Sequence, residues 1–376
     1  MAIEVVPFRE EFRQEVAQLL RVFWHDPDLS LAQFSWLVDE NPYSNTPLVY
    51  LALSEGRVVS MRIFHAARWE VVGSGRSFDV PCGVAFVTDK DYRRRGIGAL
   101  LMERAVDDML SRGIKHLFSL AASPITFRVQ EQQGWRRAVL YDQVSRSRPL
   151  RQWRRFIGRQ LPLVRKILRR TRSQLAADRA APKPDLKRIF APLDSIGPIT
   201  FEGGRLEITQ VPDAAAMAAL AATGRDAGRI RHVRGPDYFE WRYRMPIMEK
   251  RFLTWSQGDA RGFLVLEARR DVKREIRIVD WEVTGDAVLK RLLAAVIKFG
   301  EFQELWTWRV GLPEELTDFL DQSGFKAITY DTQISNYSAG LMVKTLTDPA
   351  ADRAWEIGGT NLLTPENWAL RRAYVL

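Results

Sequence analysis

An apolar run that ends in a basic, glycine-bearing turn constrains this chain more than any other stretch. Residues 84–88 have the composition of a buried strand, and apolar residues at helical spacing resume at Leu100. The turn between them contains three consecutive arginines and the glycines Gly96 and Gly98. Glycine allows the backbone to approach an anion closely, and the amides of a helix N-terminus favour negative charge. The turn therefore predicts a pyrophosphate site between a strand and a helix.

Composition limits the classes of protein and of site that the chain can form. Its 376 residues are enough for two or three domains. A single cysteine excludes a disulfide framework, and the four histidines lie too far apart to show metal-ligand spacing, so we expect no metal. We find neither a signal peptide nor an uninterrupted apolar run of about 18 residues. We therefore expect a cytoplasmic protein.

The spacing of the turn resembles a known cofactor loop. Arg-x-x-Gly-x-Gly, which begins at Arg93, is similar to the acyl-CoA pyrophosphate loop of the GNAT N-acetyltransferase superfamily. A strand over 114–122 and a short helix over 125–133, closed by Gly134-Trp135, follow in the order of that family. The resemblance implies acyl-CoA as co-substrate and direct attack of an amine on the thioester. It implies that these residues contact CoA: Val87, Thr88, Arg93, Arg94, Arg95, Gly96, Ile97, Gly98 and Ala99.

The general acid and the general base are harder to place, because two positions depart from the family's pattern. Gln130 stands where many members have a tyrosine, and Cys82 stands where many have a glutamate. A neutral thiol is a poor base near pH 7. We therefore take Asp79, Cys82 and Tyr141 as the candidate catalytic residues. Some tandem relatives use the carboxylate at the end of the chain, so the tail 365–376 is expected to fold back into the cleft.

The second half of the chain repeats the order of elements in the first half. Phe34-Ser35-Trp36 and Phe239-Glu240-Trp241 each precede a succession of strands, a helix, a strand and a Gly-aromatic pair. Asp286 stands where the basic turn would recur, and its charge would repel a pyrophosphate. The pattern predicts an α+β fold of two GNAT-like units, each with a mixed, mostly antiparallel sheet flanked by helices. Only the first unit is expected to bind CoA.

In tandem GNAT pairs, the degenerate unit typically supplies one wall of the acceptor cleft. This resemblance makes Trp241, Arg242 and Tyr243 the candidate substrate-binding residues, because they form a polar-aromatic cluster in the second half. Core packing is the alternative interpretation, because Trp36 occupies the matching place in the first half.

A basic segment separates the two halves. Eleven arginines and lysines and no acidic residue lie between residues 146 and 172, with apolar residues at spacings of three and four. This pattern favours an amphipathic helix on an anionic membrane surface. A linker packed on its own domains is one alternative. Contact with nucleic acid is another, against which the apolar stripe argues because it favours lipid over a phosphate backbone. The predicted domains are 1–145 (acyl-CoA-binding), 146–190 (basic segment and linker), 191–346 (degenerate) and 347–376 (tail).

Together these features favour an acyl-CoA-dependent N-acyltransferase, cytoplasmic and peripheral on the inner face of the membrane. Its acceptor would be the amine of a membrane-associated molecule, such as a sphingoid-type lipid or an envelope amino sugar. Two alternatives remain open. One is a cross-bridge-type aminoacyl transferase, and the other is a non-catalytic module that binds CoA or a lipid as a regulatory signal.

Overall fold

A computed structural model defines two compact units. It describes residues 3–23, 26–122, 124–147, 190–223, 225–269, 275–328 and 340–375. Unit 1 comprises Met1–Tyr141, Pro212–Ile247 and Thr329–Leu376, and unit 2 comprises Asp142–Val211 and Met248–Ile328. Each unit therefore contains segments that are distant in sequence.

The regular elements are numbered in chain order. The strands are β1 (Glu4–Pro7), β2 (Leu48–Ser54), β3 (Arg57–His65), β4 (Arg68–Val71), β5 (Arg76–Asp79), β6 (Cys82–Thr88), β7 (His116–Ala122), β8 (Arg136–Leu140), β9 (Gln143–Ser147), β10 (Ile199–Phe201), β11 (Gly204–Thr209), β12 (Ile230–His232), β13 (Met248–Gln257), β14 (Ala260–Arg269), β15 (Glu275–Val283), β16 (Glu304–Trp308), β17 (Lys326–Ala327), β18 (Gly340–Thr345), β19 (Glu356–Ile357) and β20 (Thr360–Asn361). The α-helices are α1 (Arg13–Leu20), α2 (Pro27–Val38), α3 (Ile97–Ser111), α4 (Pro124–Gln132), α5 (Ala191–Asp194), α6 (Ala214–Ala221), α7 (Pro236–Tyr243), α8 (Asp286–Phe299) and α9 (Glu314–Gln322).

Each unit is built on one large mixed sheet. The sheet of unit 1 has the order β1-β2-β3-β6-β7-β18-β8, and that of unit 2 has the order β10-β11-β13-β14-β15-β16-β9-β17. The parallel pairs are β6 with β7 in unit 1 and β15 with β16 in unit 2, and the remaining neighbours in both sheets are antiparallel. The predicted α+β fold with mostly antiparallel sheets is confirmed. The repeated order of strands also agrees with the predicted duplication.

A helix connects the two strands of each parallel pair and covers the sheet. In α3, Ile97, Leu101, Ala105 and Met109 recur every four residues and are buried, so they form one apolar stripe against β2 and β3. In α8, the buried leucines and valines pack in the same way against β13, β14 and β15. A hydrophobic cluster of each unit thus lies between its sheet and this helix.

The units differ from the predicted linear division at 1–145, 146–190, 191–346 and 347–376. Strand β18 lies between β7 and β8 in unit 1, whereas β9 lies between β16 and β17 in unit 2. Both strands are therefore paired far from their neighbours in sequence. Composition along the chain does not encode such partners, because the hydrogen bonds that unite a sheet are long-range.

The predicted basic helix falls largely on residues 148–189, which lie outside the described residues. Its first arginine is described, and this corrects part of the prediction. Arg146 belongs to β9 and pairs with Leu305 of β16, so the predicted helix does not begin there. No helix within the described part of the chain is long and apolar enough to span a membrane.

Candidate active site

The basic turn after β6 is shaped by two residues in the left-handed backbone region. A 3-10 helix, Lys90–Tyr92, comes first and is capped by Asp89, whose carboxylate accepts a hydrogen bond of 3.0 Å from the Asp91 amide. Arg94 then has a φ of 63° and Gly96 a φ of 75°. Gly96 is also the N-cap residue of α3, and no side chain caps that helix. The N-terminus of α3 therefore presents its first amides at the turn, where they favour an anion.

Two of the three arginines in the turn hold its backbone. Arg93 donates through Nε to the Thr88 carbonyl at 3.1 Å, and Arg95 donates through Nη2 to the Asp91 carbonyl at 2.8 Å. The guanidinium of Arg95 also lies 5.1 Å from the centre of the Tyr92 ring. All three arginines are exposed, so their positive charges attract an anion to the turn.

Eight of the nine predicted CoA-binding residues line one cavity of about 470 Å³. Its wall includes Val87, Thr88, the stretch from Arg93 to Gly98, and the half-exposed ring of Phe86. Ala99 is the predicted residue that is not in this wall, and its amide donates to the Gly96 carbonyl at 2.9 Å. The backbone near Gly98 is close to Phe86, because a Cβ at position 98 would lie 2.7 Å from the Phe86 Cζ.

Strands β6 and β7 separate immediately beyond their first pair of residues. Cys82 and Phe118 are the registered partners of this parallel pair. Ile63 of β3 pairs with Ala85 and the next residue of β3 pairs with Gly83, so β6 has a bulge at the residue between them. The separation leaves backbone groups of β6 available on the side toward β7. A wedge of this kind, beside an anion-binding turn, fits the pantetheine arm and thioester of acyl-CoA.

The sequence comparisons agree with this geometry. Residues 9–128 match the model of the Acetyltransferase (GNAT) family. The N-terminal part of the chain is a GNAT acetyltransferase domain. Members of this family are acyltransferases that generally use acyl-CoA and an amine acceptor. No curated protein matches it.

Several solved structures are similar to this chain over nearly its whole length. A probable N-acyltransferase of Enterococcus faecalis V583 is 12% identical, with 92% of this chain and 73% of that chain covered and a TM-score of 0.60. A GCN5-related N-acetyltransferase from Anabaena variabilis gives the same identity and coverages, with a TM-score of 0.59. A tandem GNAT protein from the clavulanic acid biosynthesis pathway is 13% identical, with 93% and 100% covered and a TM-score of 0.54. At such identities the likeness concerns the fold, and it agrees with the tandem GNAT arrangement.

The described residues of unit 2 show no counterpart of the basic turn before α8. The helix α8 begins after Gly285, whose backbone is extended at a φ of −169°, and its first residue is Asp286. An acidic first turn stabilises a helix N-terminus but repels a bound phosphate. The start of α8 is thus neither left-handed nor basic.

The three candidate catalytic residues of the GNAT domain lie in different environments. Asp79 is exposed at the end of β5, where it forms an ion pair with Arg68 at 2.7 Å. Cys82 is buried at the start of the wedge, and burial raises the pKa of its thiol, so the thiol stays protonated at neutral pH. Tyr141 is buried, and burial raises the pKa of its phenol, while Arg372 lowers this pKa and Cys82 raises it. Tyr141 therefore stays protonated, as a general acid must.

The predicted substrate-binding cluster is core of unit 1. The indoles of Trp241 and Trp36 stack with ring centroids 4.8 Å apart and an interplanar angle of 6°. Each donates from Nε1 to the other's backbone carbonyl, at 2.7 and 2.9 Å. Arg242 and Tyr243 are also buried, and Arg242 Nε donates to the Ala373 carbonyl at 2.5 Å. These contacts favour core packing, the alternative interpretation of this cluster, because the two indole nitrogens and the Arg242 Nε donate to carbonyls inside the unit.

The chain's C-terminal tail packs into unit 1. Trp368 contacts Phe118 edge to face at 5.1 Å, beside the start of the wedge, and Ala369 donates from its amide to the Ile230 carbonyl at 2.9 Å. A buried ion pair of 3.3 Å joins Arg371 to Asp226. The described part of the tail thus folds back on the GNAT domain, while Leu376 lies outside the described residues.

Two further polar groups, on β3, lie near the wedge. His65 is the registered partner of Cys82. Its pKa is lowered to about 3, mainly by burial and to a smaller extent by the nearby His232. It is therefore neutral at physiological pH. Arg62, on the same strand, extends its guanidinium over Gly83. Within the described residues, no group of three or more His, Cys, Asp or Glu side chains could hold a metal ion.

Proposed function

We propose that the GNAT domain binds acyl-CoA in the cavity at the basic turn and transfers its acyl group to an amine. The observation that carries this proposal is the combination of a left-handed, uncapped helix N-terminus with the wedge between β6 and β7. The exposed arginines and the first amides of α3 would receive the pyrophosphate. The arm of CoA would then follow β6 toward Cys82, with the thioester at the bulge.

Acyl transfer needs a donor of a proton to the departing thiolate and an acceptor for the proton of the amine. Tyr141 is the candidate donor, since its phenol is protonated at neutral pH and interacts electrostatically with Cys82, at the start of the wedge. The buried thiol of Cys82 is unsuited to remove a proton, because the same burial disfavours its thiolate. Asp79 or a water molecule would take the proton of the amine.

Kinetics of CoA release by Tyr141→Phe, Cys82→Ala and Asp79→Asn test these roles. Tyr141→Phe should lower kcat about 10²–10⁴-fold, the usual contribution of general acid–base catalysis, with little change in the Kd of CoA. Cys82→Ala should keep most of the activity and serves as the matched buried control. A lower kcat in Asp79→Asn would assign the base to Asp79, and an unchanged kcat would assign it to water. Total loss of activity in a folded Cys82→Ala variant would contradict the scheme.

For the acceptor, we propose the amine of a membrane-associated molecule, either a sphingoid-type lipid or an envelope amino sugar. The support comes from the sequence, in which eleven basic residues between 146 and 172 alternate with an apolar stripe. Such a segment would bring the enzyme to the inner face of an anionic membrane. Mass spectrometry of lipids and envelope sugars in a deletion strain would identify the acceptor by the loss of its N-acylated form. Stoichiometric CoA binding without turnover on any amine would instead support a regulatory module.

A further inference from the structure

A guanidinium lies close to two aromatic rings on the face of the sheet that α3 covers. Arg62 of β3 has its Cζ 5.0 Å from the centre of the Phe64 ring and 5.9 Å from that of Phe86. Its terminal nitrogen lies over Gly83, where an added Cβ would be only 3.1 Å from Nη2. The absence of a side chain at position 83 is therefore what leaves room for the guanidinium.

Arg62 makes neither a hydrogen bond nor an ion pair with the described residues. Its Nε is buried and unsatisfied. Burial lowers the pKa of this side chain to about 10, so it still carries a positive charge at neutral pH. Aromatic faces attract a cation, but they accept none of the five hydrogen bonds that a guanidinium can donate. A partly buried cation without hydrogen-bond partners destabilises the folded protein unless a ligand supplies an anion to pair with it.

The position of the guanidinium connects it with the acyl group rather than with the phosphates. Gly83 lies between Cys82, which is the β6 partner in the registered pair with β7, and the bulge of β6. Phosphates would bind at the opposite end of β6, at the turn that begins after Thr88. An arm that runs along β6 from that turn brings its thioester and acyl group toward Arg62. The cation thus lies where the far end of a short acyl group would reach.

We infer that Arg62 binds a carboxylate at the end of the acyl group, so that this enzyme prefers a short dicarboxylic acyl-CoA to acetyl-CoA. The inference rests on the proposed acyl-CoA site. A carboxylate accepts two parallel hydrogen bonds from a guanidinium, which matches both the charge and the free donors of Arg62. The rings of Phe64 and Phe86 contact the guanidinium and lower the polarity around the pair, which strengthens it.

Binding of CoA, acetyl-CoA, malonyl-CoA and succinyl-CoA, measured by calorimetry on the full chain, tests the inference. The wild-type protein should bind malonyl-CoA or succinyl-CoA at least about tenfold more tightly than acetyl-CoA, as expected for a hydrogen-bonded charge pair. Arg62→Met keeps the length of the side chain and its packing against the rings. It should abolish the preference and leave the Kd of CoA unchanged. Arg62→Lys should retain a part of the preference, because it keeps the charge and loses the fork.

Arg57→Met is the matched control, because Arg57 is exposed on the same strand. It should leave the preference for a dicarboxylic acyl group intact. Equal affinities for acetyl-CoA and both dicarboxylic forms in the wild-type protein would overturn the inference while CoA still binds. The same holds if Arg62→Met weakens all acyl-CoAs equally. No binding of CoA itself would instead overturn the proposed function.

Discussion

The left-handed backbone at Gly96 offers a sharp test of the acyl-CoA site. Its φ is 75°, and a Cβ added there would meet no heavy atom within 4 Å. Gly96→Ala therefore introduces no clash, and its whole effect comes from the conformation of the backbone. Alanine disfavours this region for steric reasons within the residue itself, whereas asparagine tolerates it better. Gly96→Asn is thus a matched control that adds a larger side chain but less strain.

The expected size of the effect follows from the cost of the left-handed conformation. A residue with a Cβ pays about 1–2 kcal/mol there. Because the turn is exposed, the alanine variant should relax in the free protein and recover the turn only when CoA binds. A cost of about 1–2 kcal/mol then raises the Kd of CoA by about 5–30-fold. Gly96→Asn should raise it much less.

Calorimetric titration with CoA measures the Kd of all three proteins, and urea unfolding measures their stability. If the alanine variant keeps its turn, the same cost should appear as a lower free energy of unfolding. Wild-type values for both quantities in Gly96→Ala would refute the reasoning. A loss of affinity in Gly96→Asn as large as in Gly96→Ala would also refute it, because the size of the side chain would then decide binding.

Further predictions concern stability and membrane binding. Trp36→Phe or Trp241→Phe removes an indole donor from a buried carbonyl, so each should lower the free energy of unfolding by about 1–3 kcal/mol in urea titrations. Burial lowers the pKa of His65 to about 3 and that of His232 to about 4, so the unfolded chain binds more protons than the folded protein between about pH 4 and 6.5. The free energy of unfolding should therefore fall as pH is lowered through this window. Each histidine contributes up to about 1.4 kcal/mol per pH unit. A urea midpoint that stays constant across the window would contradict this. The segment 146–172 should bind anionic vesicles less tightly as salt rises. Equal sedimentation of a variant with four of its arginines changed to glutamate would leave the segment as a linker.

Residues close together in sequence determined much of the candidate site. Arg93, Gly96 and Gly98 predicted an anion-binding turn, and all three line the cavity. The strand predicted over 114–122 and the helix predicted over 125–133 correspond to β7 and α4. Such features are legible because their causes act within a few residues: a positive φ that favours glycine, a helix N-terminus, and the apolar period of one element.

Contacts between distant residues decided what the sequence left open. Trp241 forms its stack and hydrogen bonds with Trp36, 205 residues away, and this pairing makes a suspected substrate cluster part of the core. Likewise, β18 and β9 find their sheet neighbours far along the chain. The position of Arg62 over Gly83 depends on the register of β3 with β6. Sequence specifies which side chains are apolar, charged or small, but only the tertiary structure brings them together, because sheet pairing and burial join segments that share no local signal.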